Sequence, residues 1–63
     1  MVYIVSICPK GFSEYAQESV HNTYKDALLY LDEFDKCHGT ECEYRLYEAI
    51  NEYTNKRHLL LER

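Results

Sequence analysis

No run of apolar residues in this chain approaches the roughly 20 needed to cross a bilayer as a helix, so no membrane span is expected. The N-terminus lacks a basic segment ahead of an apolar stretch, so no secretory signal is visible and a cytoplasmic location is expected. Three cysteines, an odd number, argue against a disulfide framework. Glycine is scarce, at two residues, and Lys10-Gly11 lacks the glycine spacing of a phosphate loop or a dinucleotide fingerprint. Cations are outnumbered, seven against eleven acids, for a net charge of −4. An acidic field repels phosphate, which disfavours direct nucleic-acid binding. Repeats, linkers and low-complexity tracts are missing as well.

Catalytic chemistry is also lacking. A nucleophile and base would have to come from Cys8, Cys37 or Cys42 with His21, His38 or His58. The cysteines have acidic neighbourhoods, which raise a thiol's pKa and lower its reactivity. Cys8 lies in an apolar strand and reads as a small core thiol. Cys37 and Cys42 bracket His38-Gly39-Thr40-Glu41, but a cysteine zinc site needs four ligands, commonly in C-x2-4-C pairs. A single C-x4-C would need Cys8 or His21 to complete it, so neither metal nor cofactor is expected. Asp32, Glu33 and Asp35 project in different directions around a helix and read as a solvated face. The chain is expected to be no enzyme.

What remains is enough for one small domain spanning residues 1–63. Chains of this size bury only about 60% of their unfolded surface, so stability is marginal without a staple or a partner. Val2-Tyr3-Ile4-Val5-Ser6-Ile7-Cys8 is β-branched and aromatic and ends at Pro9-Lys10-Gly11. It reads as a strand, apolar on both faces and therefore central. From Phe12 to His21 polar and apolar residues alternate, which predicts a second strand of a hairpin; a short helix from Ser13 to Ala16 is the alternative. Thr23-x-x-Asp26 is a capping-box variant. Behind it Tyr24, Ala27, Leu28, Leu31 and Phe34 recur at three- and four-residue spacing and form one stripe of a helix, which Gly39 stops. Leu29 and Tyr30 fall off that stripe. Glu43 to Ile50 starts like a strand, with a helix over Tyr47 to Tyr53 competing. Asn51, Thr54 and Asn55 mark a turn, and Arg57 to Leu61 offers a last strand. The pattern switches from period two to period 3.6 and back. It predicts an α+β fold, ββαββ or ββαβ, with one helix packed on a face of a small antiparallel sheet.

The surplus in the composition is tyrosine, seven in 63 residues. Tyrosine combines a large apolar face with a hydroxyl and suits recognition surfaces. A domain this small cannot bury all of them. Tyr3, Tyr24 and Tyr44 are expected in packing; Tyr30, Tyr47 and Tyr53 are candidates for the surface. Between Lys25 and Glu52, eight acids face three cations, leaving −5. Such a segment suits docking on a basic protein surface, including one that normally holds nucleic acid. The expected binding residues are Tyr30, Asp32, Glu33 and Asp35 on the helix, with Tyr47 and Glu48 on the following strand. A self-associating homodimer, using Leu29, Tyr30 and Leu59-Leu60-Leu61, is the alternative.

The order Val2-Tyr3-Ile4-Val5-Ser6, a Pro-Lys-Gly turn, Thr23-Tyr24-Lys25-Asp26-Ala27-Leu28 and then Tyr44-Arg45-Leu46-Tyr47-Glu48 resembles the small proteins that bacteriophages encode among their early genes. Those are hairpin, helix and strand modules, and characterised ones inhibit host RNA polymerase, DNA-processing enzymes or defence nucleases. The resemblance implies an inhibitor of a host protein, acting in the host cytoplasm. It assigns no role to any individual residue.

Overall fold

A computed structural model describes residues 1–15, 17–38 and 42–63, the His38 side chain excepted. The described elements follow in the order β1 (Val2–Pro9), β2 (Gln17–His21), α1 (Tyr24–His38), β3 (Cys42–Ala49) and β4 (His58–Glu62). All neighbouring strands are antiparallel, in the spatial order β2-β1-β3-β4. The ββαββ reading therefore holds, with the β-branched first strand in the interior as its two apolar faces require. The second strand is shorter than the alternating tract, because a turn closed by the Phe12 amide on the Pro9 carbonyl at 3.1 Å and a bend at Ser13 and Glu14 come before it. Gly11, at φ 92°, supplies the left-handed residue of that turn. The Tyr47-to-Tyr53 helix does not form. β3 runs through Ala49, and the Asn51 side chain then accepts from the Tyr53 amide at 2.9 Å, closing a turn.

The helix starts where its cap predicts. Thr23 Oγ1 accepts from the Asp26 amide at 3.1 Å, and the Ala27 amide donates to the Thr23 carbonyl at 3.1 Å. Gly39, read as the helix stop, lies outside the described residues, as do Thr40 and Glu41 of the following turn.

One face of the sheet meets the helix. Val5 and Ile7 of β1, Tyr44 and Leu46 of β3, and Ala27 and Leu31 of α1 form the core there, ringed by Tyr3, Phe34, Cys42 and Leu61. The expected stripe is thus the buried one, except that Tyr24 at its N-terminal end is exposed, its ring edge-on to Tyr3 at 6.1 Å. The helix packs on β2, β1 and β3 and leaves β4 uncovered.

The opposite face carries no helix, yet Ile4, Ser6, Cys8 and Ala49 are buried there. Long side chains cross it instead. Arg57, just ahead of β4, reaches over the Tyr47 ring at 5.8 Å to grip both carboxylate oxygens of Glu18 on β2, at 2.6 and 3.3 Å. The Ser6 hydroxyl donates to the same carboxylate at 3.0 Å. Arg45, opposite Ser6 in register, lies 4.3 Å over the Tyr15 ring and pairs with Glu62 at 2.6 Å. Glu18, Ser6, Arg45 and Glu62 thus form one polar rung across four strands. Arginine suits this position because its aliphatic stem covers apolar surface while the planar head binds in two places at once.

Candidate protein-binding surface

The helix sorts its exposed residues by flank. The Tyr30 ring lies 4.9 Å from that of His21 and 6.2 Å from that of Phe34, so Tyr30 leans toward β2. Asp32 leans the other way and pairs with Arg63 at 2.5 Å, beside β4. Glu33, three residues beyond Tyr30, shares the Tyr30 flank and is exposed. Asp26, four residues before Tyr30, is exposed on the same flank. Among the described residues neither Asp26 nor Glu33 has a cationic partner. Leu29 is half exposed on the outer side.

Asp35 is half-buried and points toward the core. The Tyr44 hydroxyl beneath it is buried and makes no hydrogen bond within ordinary limits among the described residues. Burial pushes that phenol up to about 12, and the Cys42 thiol and Asp35 carboxylate add to the effect. Asp35 therefore belongs to the environment of a core phenol, and only in part to the outer surface.

Of the six residues expected to bind a partner, Tyr30 and Glu33 share the β2-side flank of the helix, while Asp32 lies on the opposite flank, paired with Arg63. Tyr47 is on the far face of the sheet, half-buried beneath Arg57. Glu48 sits on the helix side of β3, opposite Tyr3 on one neighbour and His58 on the other. The six do not form one patch. Strand alternation separates Tyr47 from Glu48, and the sheet separates Tyr47 from Tyr30. Tyr53, at 86% exposure, is the most accessible tyrosine and lies on the β3–β4 connection. The expected set omits Asp26, which reads from sequence as part of the helix cap, although its spacing from Tyr30 places it on the same flank.

Ser19 and His21 form a hydroxyl–imidazole pair on β2, with Oγ and Nε2 2.8 Å apart. A serine nucleophile needs a third group to orient the imidazole and donors for an oxyanion. No described residue bonds the other ring nitrogen, and the ring is packed on Tyr30. The pair braces an edge strand. A shallow cleft of about 260 Å³ near the Pro9–Phe12 turn is lined partly by Cys8, Cys42 and Lys10. Its one buried thiol is occupied, with Cys8 Sγ donating to the Phe12 carbonyl at 3.2 Å. Cys8 and Cys42 come from opposite faces of the sheet, Cys37 is exposed, and the described residues contain no cluster of three or more metal-ligating side chains.

Compared with protein-family models, with curated proteins and with solved structures, the chain gives no match. No helix among the described residues is long and apolar enough to cross a membrane.

Proposed function

We propose that this chain is a non-enzymatic binding protein that inhibits a larger protein by occupying its basic, nucleic-acid-binding surface. The observation that carries the reading is the flank Asp26-Tyr30-Glu33. There, two carboxylates without described cationic partners straddle a tyrosine that is 37% exposed yet fixed by ring contacts. A tyrosine held this way loses little side-chain entropy on binding and acts as an anchor, while the carboxylates steer encounter and set salt dependence. Asp32 adds charge from the adjoining side, and Asp35 supports from beneath. Tyr47 and Glu48 serve the sheet in this account rather than the partner. The phage resemblance points to a host polymerase, DNA-processing enzyme or defence nuclease as the target class.

The test is affinity capture from bacterial lysate with the intact chain, repeated with Glu33→Lys. The expected partner has a basic surface, competes with nucleic acid for this chain, and is lost in the charge-reversed variant. Capture of a partner without such a surface overturns the reading.

A second reading, a self-associating homodimer, draws on Leu59 and Leu60 of β4, 45% and 38% exposed. Against it, Leu60 is a bulge residue: Leu46 and Tyr47 are consecutive on β3, but their partners Leu61 and Leu59 are not on β4. Bulges in edge strands discourage edge-to-edge pairing.

A further inference from the structure

We infer that β2 is the docking edge of the proposed binding surface, and that the partner contributes an extended, lysine- or arginine-bearing segment which joins the sheet there as a fifth strand. This inference rests on the preceding reading and adds the mode of binding and the kind of segment bound.

The first ground is an asymmetry between the two edges of the sheet. Natural proteins blunt exposed edges with bulges, lysines, prolines or covering elements. β4 is blunted by its bulge at Leu60, and beyond it Arg63 remains clipped to Tyr44 by two backbone hydrogen bonds of 2.9 Å. Among the described residues β2 has no bulge, lysine, proline or covering element, and its one charged residue, Glu18, is already held by Arg57. Its five residues, Gln17-Glu18-Ser19-Val20-His21, pair with β1 in unbroken register and contain neither lysine nor proline. Its outer row of amides and carbonyls is a template for another strand.

The second ground is what flanks that edge. On the helix side lie Gln17, Ser19 and His21, with the Tyr30 ring packed at a tilt against His21 and Asp26 and Glu33 one turn to either side of it. On the other side Val20 is 42% exposed, and the charge of Glu18 is already met by Arg57. Side chains of an added strand would alternate between these two environments. Those toward the helix meet two carboxylates and the face of a tyrosine, which select a cation. Those on the far side meet Val20, which selects a β-branched or other apolar residue. The segment that fits therefore alternates basic and apolar residues, as expected when main-chain bonds supply affinity and alternate side chains supply specificity. A second copy of this chain fits poorly. Two β2 strands paired about Ser19 would set Glu18 against Val20 and Gln17 against His21, bringing no lysine or arginine to Asp26 or Glu33.

The experiment uses the intact, isotope-labelled chain and a synthetic peptide of alternating lysine and valine. Two control peptides accompany it, one with glutamate for lysine and one with alternate backbone amides methylated. The expected result is that the first peptide shifts the amide resonances of residues 17–21 and slows their hydrogen exchange, while neither control does. Glu33→Lys should weaken binding by about tenfold, and Tyr30→Ala should weaken it as well. Equal binding of the methylated peptide, with shifts confined to the helix, overturns strand addition and leaves the acidic-surface reading standing. Shifts on β4, or β2 protection that depends on protein concentration without peptide, also overturn it. If lysate capture yields no basic partner, the broader reading fails, and that result is read separately from the peptide titration.

Discussion

Two residues make opposite demands on pH. The Arg57 fork, with the Ser6 hydroxyl assisting, holds the Glu18 carboxyl below its ordinary range. A carboxyl whose pKa is depressed by folding stabilises the fold above its unfolded pKa, and that contribution is lost as pH falls through the folded value. Both side chains are partly solvated, so the ion pair contributes no more than about 1 kcal/mol. Glu18→Gln should lower stability by about that much at neutral pH, and urea titrations in acid should find the two proteins converging. A gap that persists at low pH would show that shape, and not charge, is what Glu18 supplies. Tyr44 behaves the other way. Its phenol is raised to about 12, chiefly by burial, so its ionisation leaves stability untouched below the ordinary tyrosine value. Stability is lost between pH 10 and about 12, where only the unfolded chain ionises. Because the hydroxyl is buried without a hydrogen bond among the described residues, removing it relieves a desolvation penalty. Tyr44→Phe should therefore gain about 1 kcal/mol and flatten the alkaline loss in thermal melts between pH 10 and about 12. A destabilised variant would mean that Asp35 or Cys42 bonds the hydroxyl in solution.

Among the elements, α1 decides whether the domain folds. Leu31 is fully buried between Val5, Ile7, Tyr44 and Leu46. Leu31→Ala should cost about 2–5 kcal/mol, enough to unfold most of the population of so small a domain. Thr23→Ala removes the hydroxyl oxygen that accepts from the Asp26 amide and should cost about 1 kcal/mol, leaving the fold intact. Far-ultraviolet circular dichroism across a denaturant series measures both. The reverse order, with the cap mattering more than the core leucine, would contradict a helix held mainly by its apolar stripe. The strands share the burden unequally. β1 and β3 pair over eight rungs and supply four of the six residues of the helix-side core, whereas β2 and β4 are edges of five residues each. Hydrogen exchange should accordingly be slowest in β1 and β3 and fastest in β2, the strand proposed to accept a partner.

At the scale of the whole molecule, the net charge of −4 is arranged as well as present. Arg45, Arg57 and Arg63, three of the seven cations, are each committed to an internal acid. The acids left over include the exposed Asp26 and Glu33 of the β2-side flank. Association with a basic partner should slow as salt is raised, because long-range steering is screened over about 10 Å at moderate ionic strength. Stopped-flow rates against salt concentration measure this, and a flat response would remove electrostatic steering from the mechanism. Sedimentation at micromolar concentration is expected to find a monomer. A dimer abolished by Leu59→Glu would favour the self-association reading.

Local patterning in the sequence was sufficient for the helix cap at Thr23, the apolar stripe, the interior position of β1 and the strand–helix–strand order. These depend on neighbours within about four residues, and periodicity reports such neighbours directly. It also separated the off-stripe Leu29 and Tyr30 from the core. It could not show that Arg57 and Glu18, 39 residues apart, would meet across the uncovered sheet face. Nor could it show that Tyr47 would be held beneath that arginine, away from Tyr30, or that Asp32 would be answered by Arg63. Those outcomes follow from strand order and from which sheet face each residue takes. Both are set by long-range pairing that leaves no period in the chain. The candidate site was legible as a composition, acids with tyrosines. Only the tertiary fold divided that composition between two faces and set Asp26, Tyr30 and Glu33 beside an open edge of the sheet.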